Sequence, residues 1–147
     1  MDTILVTGSS GFIGQKLINI LKGDIKILSR NNNQNFNTIV CDFEKNIIPS
    51  NSLDNIETVF HLAGFAHDAR DTGKISDIYY KVNVSATVQL ANLAVKSNVK
   101  KFVFVSSVKA GGAPDFKVCA SEKNQGDPEG VYGKTKREAE LKLLKIG

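Results

Sequence analysis

Short apolar runs that end at glycine or a polar residue alternate along the chain with longer stretches in helical spacing. β-Branched and aromatic runs predict strands, and they lie at Thr3–Thr7, Ile25–Leu28, Thr38–Cys41, Thr58–Leu62 and Lys101–Ser106. Apolar residues three and four apart predict helices, at Phe12–Lys22, Ile75–Ser97 and Val131–Lys145. Loops are expected at Phe65–Gly73 and, as a long irregular connection, at Ser107–Glu129, which is rich in glycine and proline.

The alternation of strands and helices predicts an α/β fold with a doubly wound parallel sheet and helices on both faces. The expected strand order is 3-2-1-4-5, which leaves the fifth strand at an edge. Its unbroken apolar run, Phe102–Val105, predicts a strand that is covered on both faces. Because exposed edges invite pairing, self-association is expected.

Composition narrows the class of protein. The chain has 147 residues, 41% hydrophobic and 23% charged, which is typical of one globular domain and excludes collagen-like, coiled-coil and largely disordered chains. No apolar run is long enough to span a membrane, and no secretory signal is visible. Cys41 and Cys119 lack the spacing of zinc or redox motifs, which favours a reduced, cytoplasmic protein.

The net charge of +4 is concentrated near the end of the chain, where residues 95–147 hold 11 basic and 6 acidic side chains. Such a segment suits an anionic small molecule or nucleic acid, or is simply a solvated helix face. Basic and aromatic residues do not interleave and zinc-finger spacing is absent, so a nucleic-acid partner is not favoured.

A glycine-rich segment joins the first predicted strand to the first predicted helix. Gly8 permits the tight turn, Gly11 leaves room for a pyrophosphate to approach the backbone, and Gly14 lets the helix pack close to the sheet. Free N–H groups and the positive end of the helix dipole then face the phosphates. The segment predicts a dinucleotide site in a Rossmann-type sheet; the alternative is a turn with a structural role alone.

The ends of the second and third strands bear on which dinucleotide binds. At the end of the second strand a carboxylate often holds the ribose hydroxyls, but this chain has Ser29 and Arg30 there. An arginine suits a ribose 2′-phosphate, which favours NADP over NAD, unless Arg30 is a solvated loop cation. Asp42 and Phe43 follow the third strand and either face the adenine or end the strand in a turn.

Tyr132 and Lys136 are four residues apart and lie on one helix face. A phenol ordinarily has a pKa of about 10, and a nearby ammonium stabilises the phenolate, so Tyr132 is a candidate proton carrier. Lys136 is also a candidate for bonding the nicotinamide ribose; otherwise it pairs with Glu140. Ser107 directly follows the fifth strand, where open α/β sheets bind ligands, and its hydroxyl is a candidate for holding a substrate oxygen.

Together these motifs resemble the extended short-chain dehydrogenase/reductase superfamily, and most closely its nucleotide-sugar epimerase/dehydratase branch. The resemblance is carried by Gly8-x-x-Gly11-x-x-Gly14, His61-Leu62-Ala63-Gly64, Asn83, Phe104-Val105-Ser106-Ser107 and Tyr132-x-x-x-Lys136. It implies an NAD(P)-dependent enzyme acting at C4 of a UDP-hexose in surface-polysaccharide synthesis, as a 4-epimerase or a 4-keto-sugar reductase. The alternative of another class is a non-catalytic dinucleotide sensor, although such relatives often lack the tyrosine or lysine that this chain keeps.

The resemblance also implies roles for single residues. Ser107, Tyr132 and Lys136 match the catalytic triad, and Asn83 matches a helix asparagine that braces the active-site backbone. The residues expected at the dinucleotide are Gly8, Gly11, Phe12, Ile13, Gly14, Arg30, Asp42, Phe43, Ala63, Gly64, Asn83 and Lys136. Val108 and Lys109 stand where family dehydratases usually carry Asp and Glu, which argues against a dehydratase.

Family members continue past the last helix into a lobe that binds the nucleotide sugar. The resemblance therefore implies that residues 1–147 form an NAD(P)-binding domain and that the C-terminal substrate domain is absent from this chain. The helices at 75–97 and 131–145 commonly form a dimer in the family, so a homo-oligomer is expected.

The histidines need no metal to explain them. His61 lies in the fourth predicted strand and is expected to be a buried histidine with satisfied hydrogen bonds. His67 and Asp68 lie in the loop that follows, either as substrate contacts or as solvated residues. No cluster of ligands supports a metal site.

Overall fold

The computed structural model describes residues 2–45, 47–66, 72–112 and 121–146. His67, Asp68 and Cys119 lie outside these residues, so the predictions for them stay predictions. The strands are β1 (Thr3–Thr7), β2 (Asp24–Ser29), β3 (Asn37–Val40), β4 (Thr58–His61) and β5 (Lys101–Phe104). The α-helices are α1 (Phe12–Ile20), α2 (Thr72–Tyr80), α3 (Ala86–Lys96), α4 (Val108–Gly111) and α5 (Gly130–Leu143).

The five strands form one parallel sheet in the order β3-β2-β1-β4-β5. This confirms the predicted Rossmann-type topology. Thr7 at the end of β1 stands between Leu28 and His61, and His61 in turn pairs with Phe104. The carboxyl ends of four strands therefore meet at one edge of the sheet, directly before the segments that the sequence marks as functional.

Apolar clusters cover the sheet on both faces. On one face Leu5 and Val59 pack with Leu90 and Ala94 of α3. On the other, Ile4, Val6 and Ile27 pack with Ile18 of α1. The inner strands β1 and β2 thus bury side chains on both faces, as the apolar runs predict for a central parallel strand. Among the described helices, none combines the length and the hydropathy that crossing a membrane requires.

Two predicted elements are wrong in detail. The helix expected at 75–97 is a continuous helical run that begins earlier, at Thr72 within the predicted loop, and contains a π-helical turn at Lys81–Ser85 between α2 and α3. The turn inserts no proline or glycine, so periodicity alone does not reveal it. It matters because π-helical turns re-aim side chains, often at functional sites.

The fifth strand and the connection after it also differ from prediction. β5 ends at Phe104 and forms the edge of this sheet within the described residues. Lys101 and Val103 share one face of the strand and are exposed, whereas Phe102 on the other face packs against the core. The expected cover on both faces is therefore wrong for these residues. The long irregular connection contains the short helix α4, whose N-cap Ser107 accepts a hydrogen bond from the backbone N–H of Lys109.

Candidate active site

A cavity of about 320 Å³ opens at the carboxyl edge of the sheet. The predicted residues that line it are Gly8, Gly11, Arg30, Asp42, Phe43, Ala63 and Gly64. Its walls are thus the segments that follow β1, β2, β3 and β4. Parallel strands bring their ends to one edge, so residues up to 56 positions apart in the sequence come together here.

The glycine segment forms the floor of this cavity. Gly8 has a φ of +72°, and a Cβ there would lie 2.6 Å from the backbone nitrogen of Ala63. Gly14 is buried against the same turn, where a Cβ would overlap the carbonyl oxygen of Gly8. The N-cap of α1, Gly11, makes no side-chain cap bond, which leaves the start of the helix as an anion-binding surface.

Residues at the ends of β2 and β3 form one wall of the cavity. Arg30 is exposed and lines the cavity beside Ser29. Asp42 ends β3 in the predicted turn, since one carboxylate oxygen accepts the backbone N–H of Glu44 at 3.0 Å, yet Asp42 also lines the cavity. The turn that the sequence suggests at Asp42 is therefore present, and the contact of Asp42 with adenine stays a prediction.

Asn83, inside the π-helical turn, ties the cavity wall to α5. Its Oδ1 accepts the Phe65 N–H at 2.7 Å, and its Nδ2 donates to the Phe65 carbonyl at 3.1 Å. The same Nδ2 donates to Thr135 Oγ1 at 3.1 Å. Thr135 directly precedes Lys136, so this one amide holds the loop after β4 and the candidate catalytic helix together.

Lys136 is buried, with 2% of its surface exposed. Its Nζ donates to the Val105 carbonyl at 2.7 Å and lies 3.9 Å from the centre of the Phe104 ring. The alternative of an ion pair with Glu140 is wrong: Glu140 lies 3.8 Å from Arg137 instead. The ammonium is thereby held at the carboxyl end of β5.

Tyr132 lies on the same face of α5. Its ring meets the buried ring of Tyr79 edge-on, with centroids 6.4 Å apart. Tyr79 in turn packs edge-on against Phe65, at 4.9 Å, and Phe65 lines the cavity. A row of rings thus connects the phenol of α5 with the wall of the cavity.

Burial lowers the pKa of Lys136 to about 8, and Glu140 opposes this shift. Between this value and the ordinary 10.5, the unfolded chain binds the proton and the folded chain does not. The free energy of unfolding must therefore rise with pH in that window. Urea denaturation measures this effect. Between about pH 7.5 and pH 10, the free energy of unfolding of wild type should rise by about 2 kcal/mol relative to that of Lys136→Met. Equal pH slopes for the two proteins would contradict it.

His61 is the buried, hydrogen-bonded histidine that the sequence predicts. It is fully buried, and its Nδ1 and Nε2 lie 2.7 Å and 2.8 Å from the hydroxyls of Thr7 and Thr87. Burial, followed by the charge of Lys136, lowers the pKa of His61 to about 3. The imidazole is therefore neutral at physiological pH.

Ser107 caps α4 and lies two residues after Val105. α4 packs against α5, where the backbone N–H of Glu129 donates to the Lys109 carbonyl at 2.9 Å. A Cβ at Gly133 would overlap that same carbonyl. Helix α5, which carries Tyr132, thus packs directly against α4, whose N-cap is Ser107.

Five predicted contacts do not line the cavity: Phe12, Ile13, Gly14, Asn83 and Lys136. Phe12 and Ile13 are exposed at the start of α1. Conversely, the cavity includes Cys41, Leu62 and Val82, which sequence reasoning missed. The rule that ligands bind at strand ends would have found Cys41 and Leu62. Val82 lies in the π-helical turn, which no pattern in the sequence predicted.

In the described part of the chain, no group of histidine, cysteine and carboxylate side chains is suited to a metal ion. Cys41 is a buried free thiol, and burial followed by the neighbouring Asp42 raises its pKa. The charged side chains that line the cavity at this edge are Arg30, Asp42 and Glu44.

Comparison with known proteins agrees with this geometry. Residues 4–146 match the model of the NAD dependent epimerase/dehydratase family. A UDP-glucose 4-epimerase of Vibrio cholerae is 34% identical over 98% of this chain and 47% of its own length. An N-acetyl-α-D-glucosaminyl-diphospho-ditrans,octacis-undecaprenol 4-epimerase of Escherichia coli O157:H7 is 31% identical over 95% of this chain and 42% of its own.

Solved structures share the fold. MoeE5 in complex with UDP-glucose and NAD matches 99% of this chain and 49% of its own, with a TM-score of 0.83 and 32% identity. A short-chain dehydrogenase/reductase superfamily protein of Agrobacterium tumefaciens with bound NAD matches 98% of this chain and 44% of its own, with a TM-score of 0.85 and 27% identity.

The chain spans about half the length of the relatives that it matches. The match covers nearly all of its residues, and it includes the glycine turn, the strand ends and the helix with Tyr132 and Lys136. The resemblance first drawn from short motifs is thereby confirmed across the chain. This protein belongs to the NAD dependent epimerase/dehydratase family.

Proposed function

We propose that residues 1–147 form the NAD(P)-binding domain of a nucleotide-sugar 4-epimerase that acts at C4 of a UDP-hexose. One observation carries the proposal: the cavity at the glycine turn and the buried Lys136 lie at the same edge of the sheet. The names of the relatives, which include UDP-glucose 4-epimerases, support the substrate class. The substrate lobe is expected in the part of the relatives' length that this chain does not span.

The residues at the cavity fit a dinucleotide. Gly11 lines the cavity, and a Cβ there would meet only the Gly8 carbonyl, at 3.3 Å, so a pyrophosphate can approach its backbone closely. Anions bind well at an uncapped helix start. Gly64 borders the same space on the side nearest Asn83. When bound, NAD(P) supplies a nicotinamide ring that accepts a hydride from the sugar carbon and returns it.

The chain's own residues then handle the proton and the sugar oxygen. Tyr132 takes the proton from the C4 hydroxyl and returns it to the ketone oxygen. Ser107 holds that oxygen by a hydrogen bond. Lys136, fixed by the Val105 carbonyl, stabilises the phenolate of Tyr132 by its charge and donates to the nicotinamide ribose.

Two measurements test the proposal. Calorimetric titration of the chain with NAD and NADP should give saturable binding of at least one of them. The full-length protein should interconvert UDP-glucose and UDP-galactose with no net change in NAD(P)H absorbance. Stoichiometric consumption of NAD(P)H would identify a 4-keto-sugar reductase instead, and dinucleotide binding without turnover would identify a sensor.

Arg30 allows a prediction of the preferred dinucleotide. If its guanidinium holds a 2′-phosphate, wild type should bind NADP more tightly than NAD, and Arg30→Ala should weaken NADP about tenfold and leave NAD unchanged. Lys45→Ala, which removes a cation that lies 3.8 Å from the Asp42 carboxylate and does not line the cavity, is the matched control. Equal or tighter binding of NAD by wild type would contradict the preference for NADP; the solved relatives named above hold NAD.

The proposal includes a homo-oligomer formed through the helices within 75–97 and 131–145. A groove of about 510 Å³ between these helices is lined by Tyr80, Val88, Leu93 and Lys142, among others. Leu141 of α5 is 49% exposed. Light scattering should show a dimer that Val88→Glu converts to a monomer, since a buried charge opposes association. A strictly monomeric wild type at high concentration would contradict this.

A cytoplasmic location is also proposed, and cell fractionation tests it.

A further inference from the structure

A buried chain of hydrogen bonds runs from Ala63, which lines the candidate dinucleotide cavity, through Thr7 and His61 to Thr87 of α3. The Thr7 Oγ1 atom accepts the backbone N–H of Ala63 at 3.1 Å and lies 2.7 Å from His61 Nδ1. On the other side of the ring, Nε2 lies 2.8 Å from Thr87 Oγ1 of α3. The side chains of Thr7, His61 and Thr87 are all fully buried.

The partners determine where the protons lie. Because Thr7 Oγ1 already accepts from Ala63, its own proton needs an acceptor, and a buried hydroxyl left without one is costly. The acceptor within reach is Nδ1 of His61. Nε2 therefore carries the ring proton and donates it to Thr87. In this arrangement Ala63 donates to Thr7, Thr7 donates to His61, and His61 donates to Thr87. The arrangement requires a neutral imidazole, in agreement with the lowered pKa of His61.

This chain of hydrogen bonds lies where the backbone of the glycine turn approaches Ala63 closely. Thr7 directly precedes Gly8, whose Cα faces Ala63 so closely that a Cβ would lie 2.6 Å from the Ala63 nitrogen. Gly8 and Ala63 both line the cavity. Their spacing depends on the hydroxyl of Thr7, whose direction depends on Nδ1 of His61. Rings of Phe43, Phe102 and Phe104 surround the imidazole and hold it in place.

We propose that His61 is a positioning residue for the dinucleotide, because it directs the Thr7 hydroxyl and so sets the spacing between the glycine turn and the Ala63–Gly64 segment. The rings around it are apolar, so packing against them does not by itself require a polar side chain at this position. The inference rests on the proposed dinucleotide binding and adds a residue that does not line the cavity.

Three variants separate positioning from packing, with the dissociation constant for NAD or NADP, whichever binds more tightly, as the readout. His61→Phe, which keeps an aromatic ring, although a larger one, and loses both bonds, should weaken binding at least about tenfold at a temperature where it is folded. His61→Asn offers an amide near the place of Nδ1 and should recover affinity to within about threefold of wild type. Thr87→Val removes only the Nε2 partner; it should lower Tm and leave the dissociation constant within about threefold.

Other results would overturn the inference. These are unchanged affinity in folded His61→Phe, no recovery in His61→Asn, or an equal loss in Thr87→Val. A wild-type measurement decides the matter if a variant does not fold: long-range 1H–15N correlation should show the neutral Nε2–H tautomer, and the Nδ1–H tautomer would overturn the inference. A wild type that binds neither dinucleotide overturns the proposed function as well, whereas tight binding by both wild type and His61→Phe overturns this inference alone.

Discussion

Replacing Tyr132 with phenylalanine is expected to lower kcat of the full-length protein by about 10²- to 10⁴-fold. The variant keeps the ring that packs against Tyr79 and loses only the hydroxyl to which we assign the proton transfer. Since Tyr132 does not line the dinucleotide cavity, the dissociation constant for NAD(P) should change by less than about threefold. Steady-state turnover of the UDP-hexose and calorimetric titration measure the two effects separately.

Tyr80→Phe is the matched control for this prediction. Tyr80 is 41% exposed at the end of α2, with the Lys142 ammonium 6.0 Å from its ring centre. Removing its hydroxyl should leave kcat within about twofold of wild type, as expected for an exposed position. Full activity in Tyr132→Phe would contradict the assigned proton transfer and favour a role for the domain in binding alone.

Replacing Gly14 with alanine is expected to destabilise the folded chain by about 2–3 kcal/mol. Helix propensity alone predicts the opposite, a gain of about 1 kcal/mol from alanine. The added Cβ would overlap the Gly8 carbonyl and lie 2.7 Å from Ser9 Cα, so the backbone of the turn must move. Urea denaturation measures the loss, and dinucleotide affinity should fall with it because the turn forms the cavity floor.

Gly11→Ala is the contrasting variant. A Cβ there meets only the Gly8 carbonyl, at 3.3 Å, and the φ of −75° suits any residue. Stability should change by no more than about 1 kcal/mol, while dinucleotide affinity falls more than about tenfold because the methyl group occupies the approach to the backbone. Equal losses of stability in the two variants would refute this division between a packing glycine and a binding glycine.

The order of elements and the sheet could be read from the sequence because each central strand buries both faces. Ile4, Leu5 and Val6 are all buried, so an unbroken apolar run is the physical requirement of such a strand. The same reasoning failed at β5. Its run Phe102–Val105 is equally apolar, yet Val103 is 40% exposed, because a pattern does not reveal whether other elements cover that face of the strand.

The helical segments show a second limit of prediction. Apolar spacing located helical residues from 75 to 97, but the π-helical turn at Lys81–Ser85 adds one residue to a turn without a change in composition. That turn places Asn83 between Phe65 and Thr135. The family resemblance singled out Asn83, whereas its partners Phe65 and Thr135 could be known only from the packing of the segment after β4 and of α5 against the turn.

The amino-acid sequence by itself determined the parallel sheet, the glycine turn after β1 and the face shared by Tyr132 and Lys136, because each follows from spacing along a single element. Tertiary structure alone decided that Lys136 points to the Val105 carbonyl and not to Glu140. It also decided that His61 connects Thr7 with Thr87. These contacts join residues 26 to 54 positions apart, and they depend on how the strand ends converge, which local patterns of hydrophobicity do not encode.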